Sequence, residues 1–325
     1  MRGSIHGFAM INVTTVSTSA GEAIGPPSLS PNQRAWRRFR GERRAVWALG
    51  FIGVVILLSL MGPNFTGYDP NANGEAQFAP PGNAHWCGTD VHGRDLLTRL
   101  LVGTRISLLV GSVGAGVALV IGVCWGMVAA YLGGRIDNLM MRFVDVLYSL
   151  PNILFVMLGL VTLEAFSTKY LNTRAPELVA GLHLTALFVL IGAVSWLNMA
   201  RIVRGQVLSL RTRPFVLASQ ALGAGHLRVL GRQILPNIVG VVIVYLSLTV
   251  PTVILYESFL SFLGRGIRPP HASLGTLIAD GAAQLNPLRI RWWLVGFPSG
   301  LLASMMLALT FIGDGLRVAL DPKAE

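Results

Sequence analysis

The stretch "RPFVLASQALGAGHLRVLGRQILPN", Arg213 to Asn237, carries three arginines, one histidine and no acidic residue, and it separates two long apolar runs. It is too polar to cross a membrane and too apolar to be a plain solvated loop. Pro214 suits the first position of a helix, where a missing N–H costs nothing. Phe215, Ala218, Ser219 and Leu222 then share a face at helical spacing. Gly223 is a natural stop, because glycine accepts the left-handed backbone that ends helices. Leu227, Leu230 and Ile234 line one face of a second short helix, with Arg228 and Arg232 on another, and Pro236 can open the next apolar run. The expectation is a helix–turn–helix projecting from one face of a membrane. Its small residues, Ala218, Ser219, Ala221 and Ala224, permit close docking into a partner's groove. The alternative is a helical hairpin lying on the bilayer without a partner.

The flanks set that context. Of 325 residues, 53% are hydrophobic and only 13% charged. A soluble domain carries roughly 25% charged residues. Six runs are candidate spans: Ala45–Met61, Ile106–Tyr131, Val144–Leu163, Gly181–Met199, Ile238–Leu263 and Trp292–Ile312. A crossing helix needs about 20 apolar residues. Backbone groups in lipid must be satisfied within the segment, and these runs are too long for barrel strands, so the fold class is an all-α integral membrane protein. The net charge of +11 is spread over short links. That pattern points to topology and lipid headgroups rather than nucleic acid.

Seventeen of the 26 lysines and arginines fall in the N-terminal segment, the links 132–143 and 200–237, and the C-terminal end. The basic side is expected to be cytoplasmic, with both termini inside and the Arg213–Asn237 stretch facing the cytosol. Residues 1–33, rich in Ser, Thr, Gly and Pro, read as a disordered tail and not a signal peptide. Residues 34–103 then hold a basic cluster, the first span and an outward loop. Residues 104–316 form the core with the loop 200–237, and 317–325 a short tail. The segment Glu164 to His183 reads as an outward loop.

Chemistry-bearing residues are sparse. His85, Cys87, Asp90 and His92 in "HWCGTDVHGRD" are metal-ligand types, but their spacing matches no zinc pattern. A hydrogen-bonded turn is expected there, leading into a short interfacial helix on which Leu96, Leu97, Leu100 and Leu101 recur at helical spacing. "GSVGAGVALVIG", Gly111 to Gly122, resembles a phosphate loop only superficially. Inside a span its small residues let helices approach closely. No nucleophile–base constellation appears, so no catalytic residue is assigned. Glu257 reads either as a lining residue of a transport path or as a hydrogen-bonded helix contact.

"LASQALGAGHLRVLGRQILP" resembles the cytoplasmic loop of bacterial ABC importer permeases, whose pattern is Glu-Ala-Ala, three residues, Gly, then Leu-Pro about a dozen residues on. Ala218, Gly223, Leu235 and Pro236 match, Ser219 replaces the second alanine, and Leu217 replaces the glutamate. "GTDVHGRDLLTRLLVGTRISLLVG", "YLGGRIDNLMMRFVDVLYSLP", "SWLNMARIVRGQVLSLR" and "FIGDGLRVALDPK" are also similar to that family. The whole of Arg34 to Lys323 looks like a C-type permease subunit of the oligopeptide and dipeptide (peptide/nickel) importers. The resemblance implies a type I ABC importer transmembrane domain of six helices with no active site, metal or cofactor of its own. A homologous second permease, two ATPase subunits that bind the ATP, an extracytoplasmic substrate-binding protein and membrane lipid are its implied partners. It makes Phe215, Leu217, Ala218, Ser219, Gln220, Gly223, Ala224 and Pro236 the residues that couple to an ATPase. Polar coupling that Leu217 cannot make is then weaker or is supplied elsewhere, by Arg213 or Gln220. Oligopeptides are the favoured substrate, with dipeptides, nickel chelates and antimicrobial peptides open. A stand-alone secondary transporter is the competing class. It would want paired repeats with broken helices, of which the sequence shows no clear sign.

Overall fold

The computed structural model describes residues 30–170, 176–267, 271–286 and 288–320. Those residues are helical throughout, apart from loops and two isolated bridges. Five helical stretches are long and apolar enough to cross a membrane: Arg43–Gly62, Leu96–Leu132, Thr185–Leu210, His226–Phe262 and Trp293–Leu320. They belong to α2 (Arg43–Thr66), α3 (Leu96–Leu132), α6 (Pro176–Leu210), α8 with α9 (His226–Val229, Leu235–Phe262), and α11 (Trp293–Leu320). The remaining helices are α1 (Pro31–Gly41), α4 (Gly134–Ser149), α5 (Asn152–Tyr170), α7 (Pro214–Ala221) and α10 (Leu274–Ala283).

The α3–α6 contact organises the bundle. A stripe of Gly111, Gly114, Ala115, Ala118, Gly122, Gly126, Ala129 and Ala130 is buried along α3, as the small-residue reading anticipates. A Cβ on Gly122 would lie 2.6 Å from the Met199 Cβ, and one on Gly126 would lie 2.5 Å from the Ala200 carbonyl oxygen. Only residues without side chains allow so close an approach. Gly192 packs on Gly114, Met199 on Gly122, Ala200 on Gly126, and Arg211 reaches the Ala130 carbonyl. Both numberings rise together, so α3 and α6 are parallel. The segment between them must therefore cross back once.

That crossing is α4 with α5, which meet at an 86° bend. A straight span over Val144–Leu163 was expected; the chain breaks inside it at Leu150–Pro151. Proline disfavours a helical residue before it, and Leu150 is extended. With this bent pair taken as one span, the crossings among the described residues number six.

Several expected boundaries move for local reasons. Ser30 caps α1 in a capping box with Gln33, so helix begins inside the segment read as an unstructured tail; residues 1–29 lie outside the described residues. The interfacial helix expected at Leu96 is the first turn of α3, because Asp95 caps a helix that runs on unbroken. The division at 103/104 therefore falls inside α3. Most of the loop expected over Glu164–His183 continues α5 or opens α6. α11 likewise runs through the division at 316/317 to Leu320, and the last five residues lie outside the described ones.

At one end of the bundle, Phe39 and Ala45 pack against Gly315 and Ala319, and Leu320 lies near Gly240 at the start of α9. This end thus holds α1, the end of α11 and α7. At the other end the loop after α2 folds over α10 and α11. Asp90 accepts from the His92 and Arg94 backbone N–H groups and from the Arg94 and Arg99 guanidinium groups. His85 Nδ1 lies 2.9 Å from Asp95 Oδ1. The Asp90 and His85 side chains are thus used within a hydrogen-bonded turn, and no metal-holding cluster occurs among the described residues.

Two outcomes follow. Gly122→Val should force α3 and α6 apart at a cost of about 1–3 kcal/mol, read as a lower thermal midpoint of the detergent-solubilised protein. The Cys87 thiol is pushed up to about 11 by burial and by the charge of Asp95. At pH 8 roughly a thousandth of it is thiolate, so alkylation should be slow and should quicken with pH through 10.

Candidate docking site

The loop after α6 is shaped by its prolines and its glycine. Arg213 is extended (φ −73°, ψ 145°) before Pro214, which opens α7. Gly223 has φ +79° and stops it. The Ala224 N–H reaches the Ser219 carbonyl and the Gly223 N–H the Gln220 carbonyl, the paired bonds of a Schellman cap.

The second helix of the loop is not separate. His226–Val229 continues into α9 through a π turn, Leu230–Ile234, in which the Leu235 N–H bonds to the Leu230 carbonyl five residues back. Pro236 has no N–H to donate to the Arg232 carbonyl, and its ring crowds that carbonyl. The wider turn relieves the clash without ending the helix. Pro236 therefore sits beside a junction within one continuous helix.

α7 is tied to three spans. Val216 is fully buried among Val203, Val207, Val229, Ile234 and Ile238. The Gln220 Nε2 donates to the Tyr131 hydroxyl at 3.3 Å, and Tyr131 meets His226 Nδ1 at 3.0 Å. Gln233 donates to the Ser219 Oγ at 3.5 Å. Arg211 donates to the Ala130 carbonyl at 2.8 Å, which places a cation on the C-terminal end of α3.

The opposite side of α7 is bare. Phe215 is 41% exposed, Leu217 52% and Leu222 89%, and Leu227 beyond the turn is 86% exposed. Ala218 is exposed, while Ser219 and Ala224 are half-buried beneath. Of the expected set, Phe215, Leu217, Ala218, Gln220, Gly223 and Pro236 are exposed. The exposed Gln220 also reaches the Tyr131 hydroxyl. Exposed Arg213, Arg228 and Arg232 border the apolar patch, and no acid lies between residues 200 and 237.

Two further sets of ionisable residues stand out. Glu257 is fully buried where α9 meets the start of α10, and one oxygen accepts from Ser261 and Ser273 at 2.6 Å each. These bonds tie α9 to the start of α10. Near the α7 end, Arg204 makes two bonds to Asp137, of 2.6 and 2.7 Å, and Arg201 bonds to Asp145 at 2.7 Å. These pairs join α4 to α6. Nothing in the sequence pairs residues 67 or 56 positions apart, and the Tyr131–Gln220 bond is hidden for the same reason.

The bundle, with a short helix held off one end, has the fold of the membrane domain of a solved ABC transporter. It matches the methionine ABC transporter MetNI in its inward-facing conformations, with a TM-score of 0.53 at 19% identity over 68% of this chain and 96% of that one. The profile of the binding-protein-dependent transport system inner membrane component matches residues 122–325, and that of the N-terminal TM domain of oligopeptide transport permease C matches residues 30–81. The oligopeptide transport system permease protein OppC of Bacillus subtilis is 39% identical over 97% of both chains. OppC of Escherichia coli is 44% identical over 90% of this chain and 91% of its own. The dipeptide transport system permease protein DppC of Bacillus subtilis is 40% identical over 93% and 89%. The chain belongs to the binding-protein-dependent inner membrane permease family, as a C-type subunit of the oligopeptide permease kind.

Tyr131→Phe should loosen α7 without unfolding the spans. Losing this bridge costs about 1 kcal/mol, read as roughly fivefold faster amide exchange over residues 214–224 with an unchanged thermal midpoint.

Proposed function

We propose that the chain is the membrane subunit of an ATP-driven importer that carries oligopeptides inward. It pairs with a homologous permease to enclose the path. Two ATPase subunits bind and hydrolyse the ATP, and an extracytoplasmic binding protein delivers the peptide. The chain carries no catalytic residue and no cofactor. The arginine asymmetry supports a cytoplasmic side for α7 and for both termini.

The observation that carries this reading is the two-sided character of α7. Its inner edge is bonded to the end of α3 and to the turn leading into α9 and is packed on α6, while its outer side exposes Phe215, Leu217 and Leu222 to water. An exposed apolar patch rimmed by arginines is a partner-binding surface. An ATPase groove that takes this patch moves three spans when it moves α7. With Leu217 in place of an acid, the docking is apolar. The bordering arginines match acidic groups around the groove. The names of the relatives, permeases for oligopeptides and dipeptides, support the substrate class.

The test is reconstitution of the four-subunit membrane complex with its binding protein in proteoliposomes. At Gly223 the space is open, so a side chain acts only through the strained φ of +79°. Gly223→Val should leave assembly intact and reduce peptide-stimulated ATP hydrolysis; unchanged stimulation sinks the docking role of α7. Leu217→Glu, which faces outward, should retain transport. Peptide uptake by the purified chain alone, without ATPases, would return a stand-alone transporter.

A further inference from the structure

Most of α6 and α9 is apolar, yet each carries a polar stripe at mid-span. On α9, Tyr245, Thr249, Thr252 and Tyr256 recur at i, i+4, i+7 and i+11. On α6, Ser195 and Asn198 fall one turn apart. The bend between α4 and α5 brings Tyr148 and Asn152 to the same place. Together these residues line one cavity of about 250 Å³.

The stripe is ill suited to lipid. Asn198 is exposed, and its amide makes no hydrogen bond to another described residue. An unsatisfied amide in hydrocarbon costs several kcal/mol. Asn152 donates to the Tyr256 hydroxyl only at 3.5 Å. Ser195, Thr249 and Thr252 each spend their proton on a carbonyl one turn back, and their oxygens remain acceptors. Ile243, on the opposite side of α9, is also exposed and is wholly apolar. One side of α9 thus suits lipid and the other suits a polar occupant.

The stripe is also uncharged. Ionic groups begin one turn beyond Asn198, where Arg201 stacks over the Tyr148 ring at 4.1 Å and pairs with Asp145. The Arg204–Asp137 pair follows one turn further on. Neutral donors and acceptors flanked by tyrosine rings therefore lead into a collar of paired charges.

We propose that this furrow is the chain's wall of the translocation path, and that it holds a peptide by its main chain. A peptide backbone offers alternating neutral donors and acceptors in every sequence. Hydroxyl and carboxamide groups meet either kind, and tyrosine rings cover apolar side chains without selecting a charge. The inference rests on the peptide-importer reading, and the experiment separates the two.

In the assembled complex, on a Cys87→Ser, Cys124→Ala background, Asn198→Cys and Thr252→Cys are treated with a membrane-impermeant cationic thiosulfonate. Both should react many times faster than Ile243→Cys and should be protected during peptide transport. Reactivity no greater than that of Ile243→Cys overturns the wall. In parallel, Asn198→Leu and Thr252→Val should lower uptake of acidic, basic and neutral peptides alike by roughly three- to tenfold, the cost of about one hydrogen bond. A loss confined to one charge class, or unchanged uptake of all three, overturns the main-chain contact. If the unsubstituted complex takes up no peptide while Asn198→Cys stays reactive, the peptide reading and the main-chain contact fall, and the wall stands.

Discussion

The close approach of α3 and α6 is the constraint on which the rest of the bundle depends. Without side chains at Gly122 and Gly126, two backbones come near enough for dispersion to hold them where lipid supplies no hydrophobic drive. Because the two helices are parallel, the intervening chain has to make a crossing of its own. It does so as a bent pair joined to α6 by the Arg201 and Arg204 ion pairs. The same approach brings Ala130, Tyr131 and Arg211 to one end, and those groups carry α7. A stripe of small residues thereby fixes the crossing number, the collar of charges and the seat of the docking helix.

Much of this was legible in the sequence because the bilayer permits so few solutions. Long apolar runs had to be helices, and the small residues between Gly111 and Gly122 had to sit at a helix contact. In the loop, Pro214 and Gly223 bound α7 as their backbone preferences dictate. The motifs from Arg34 to Lys323 reach further, since they carry the family resemblance.

What stayed hidden were contacts between distant positions and breaks inside apolar runs. Val144–Leu163 has the composition of one span, and only the backbone at Leu150 reveals the break. Nothing in the sequence tells that Gln220 bonds to Tyr131, 89 positions earlier. Glu257 kept two readings because a lone acid in a span is silent about its partners; Ser273 lies beyond the end of its helix. The polar stripes on α6 and α9 were present in the sequence but diluted. Separate hydroxyls and amides within apolar runs declare themselves only when three segments converge.

The π turn at Leu230–Ile234 has a mechanical consequence. It stores one extra residue in a helix that otherwise advances about 1.5 Å and 100° per residue. Passing that residue along the helix exchanges one carbonyl partner for the next and leaves the chain helical. The junction between docking loop and span thus holds one residue more than a regular helix would, at the point where Val229, Gln233 and Ile234 meet α7.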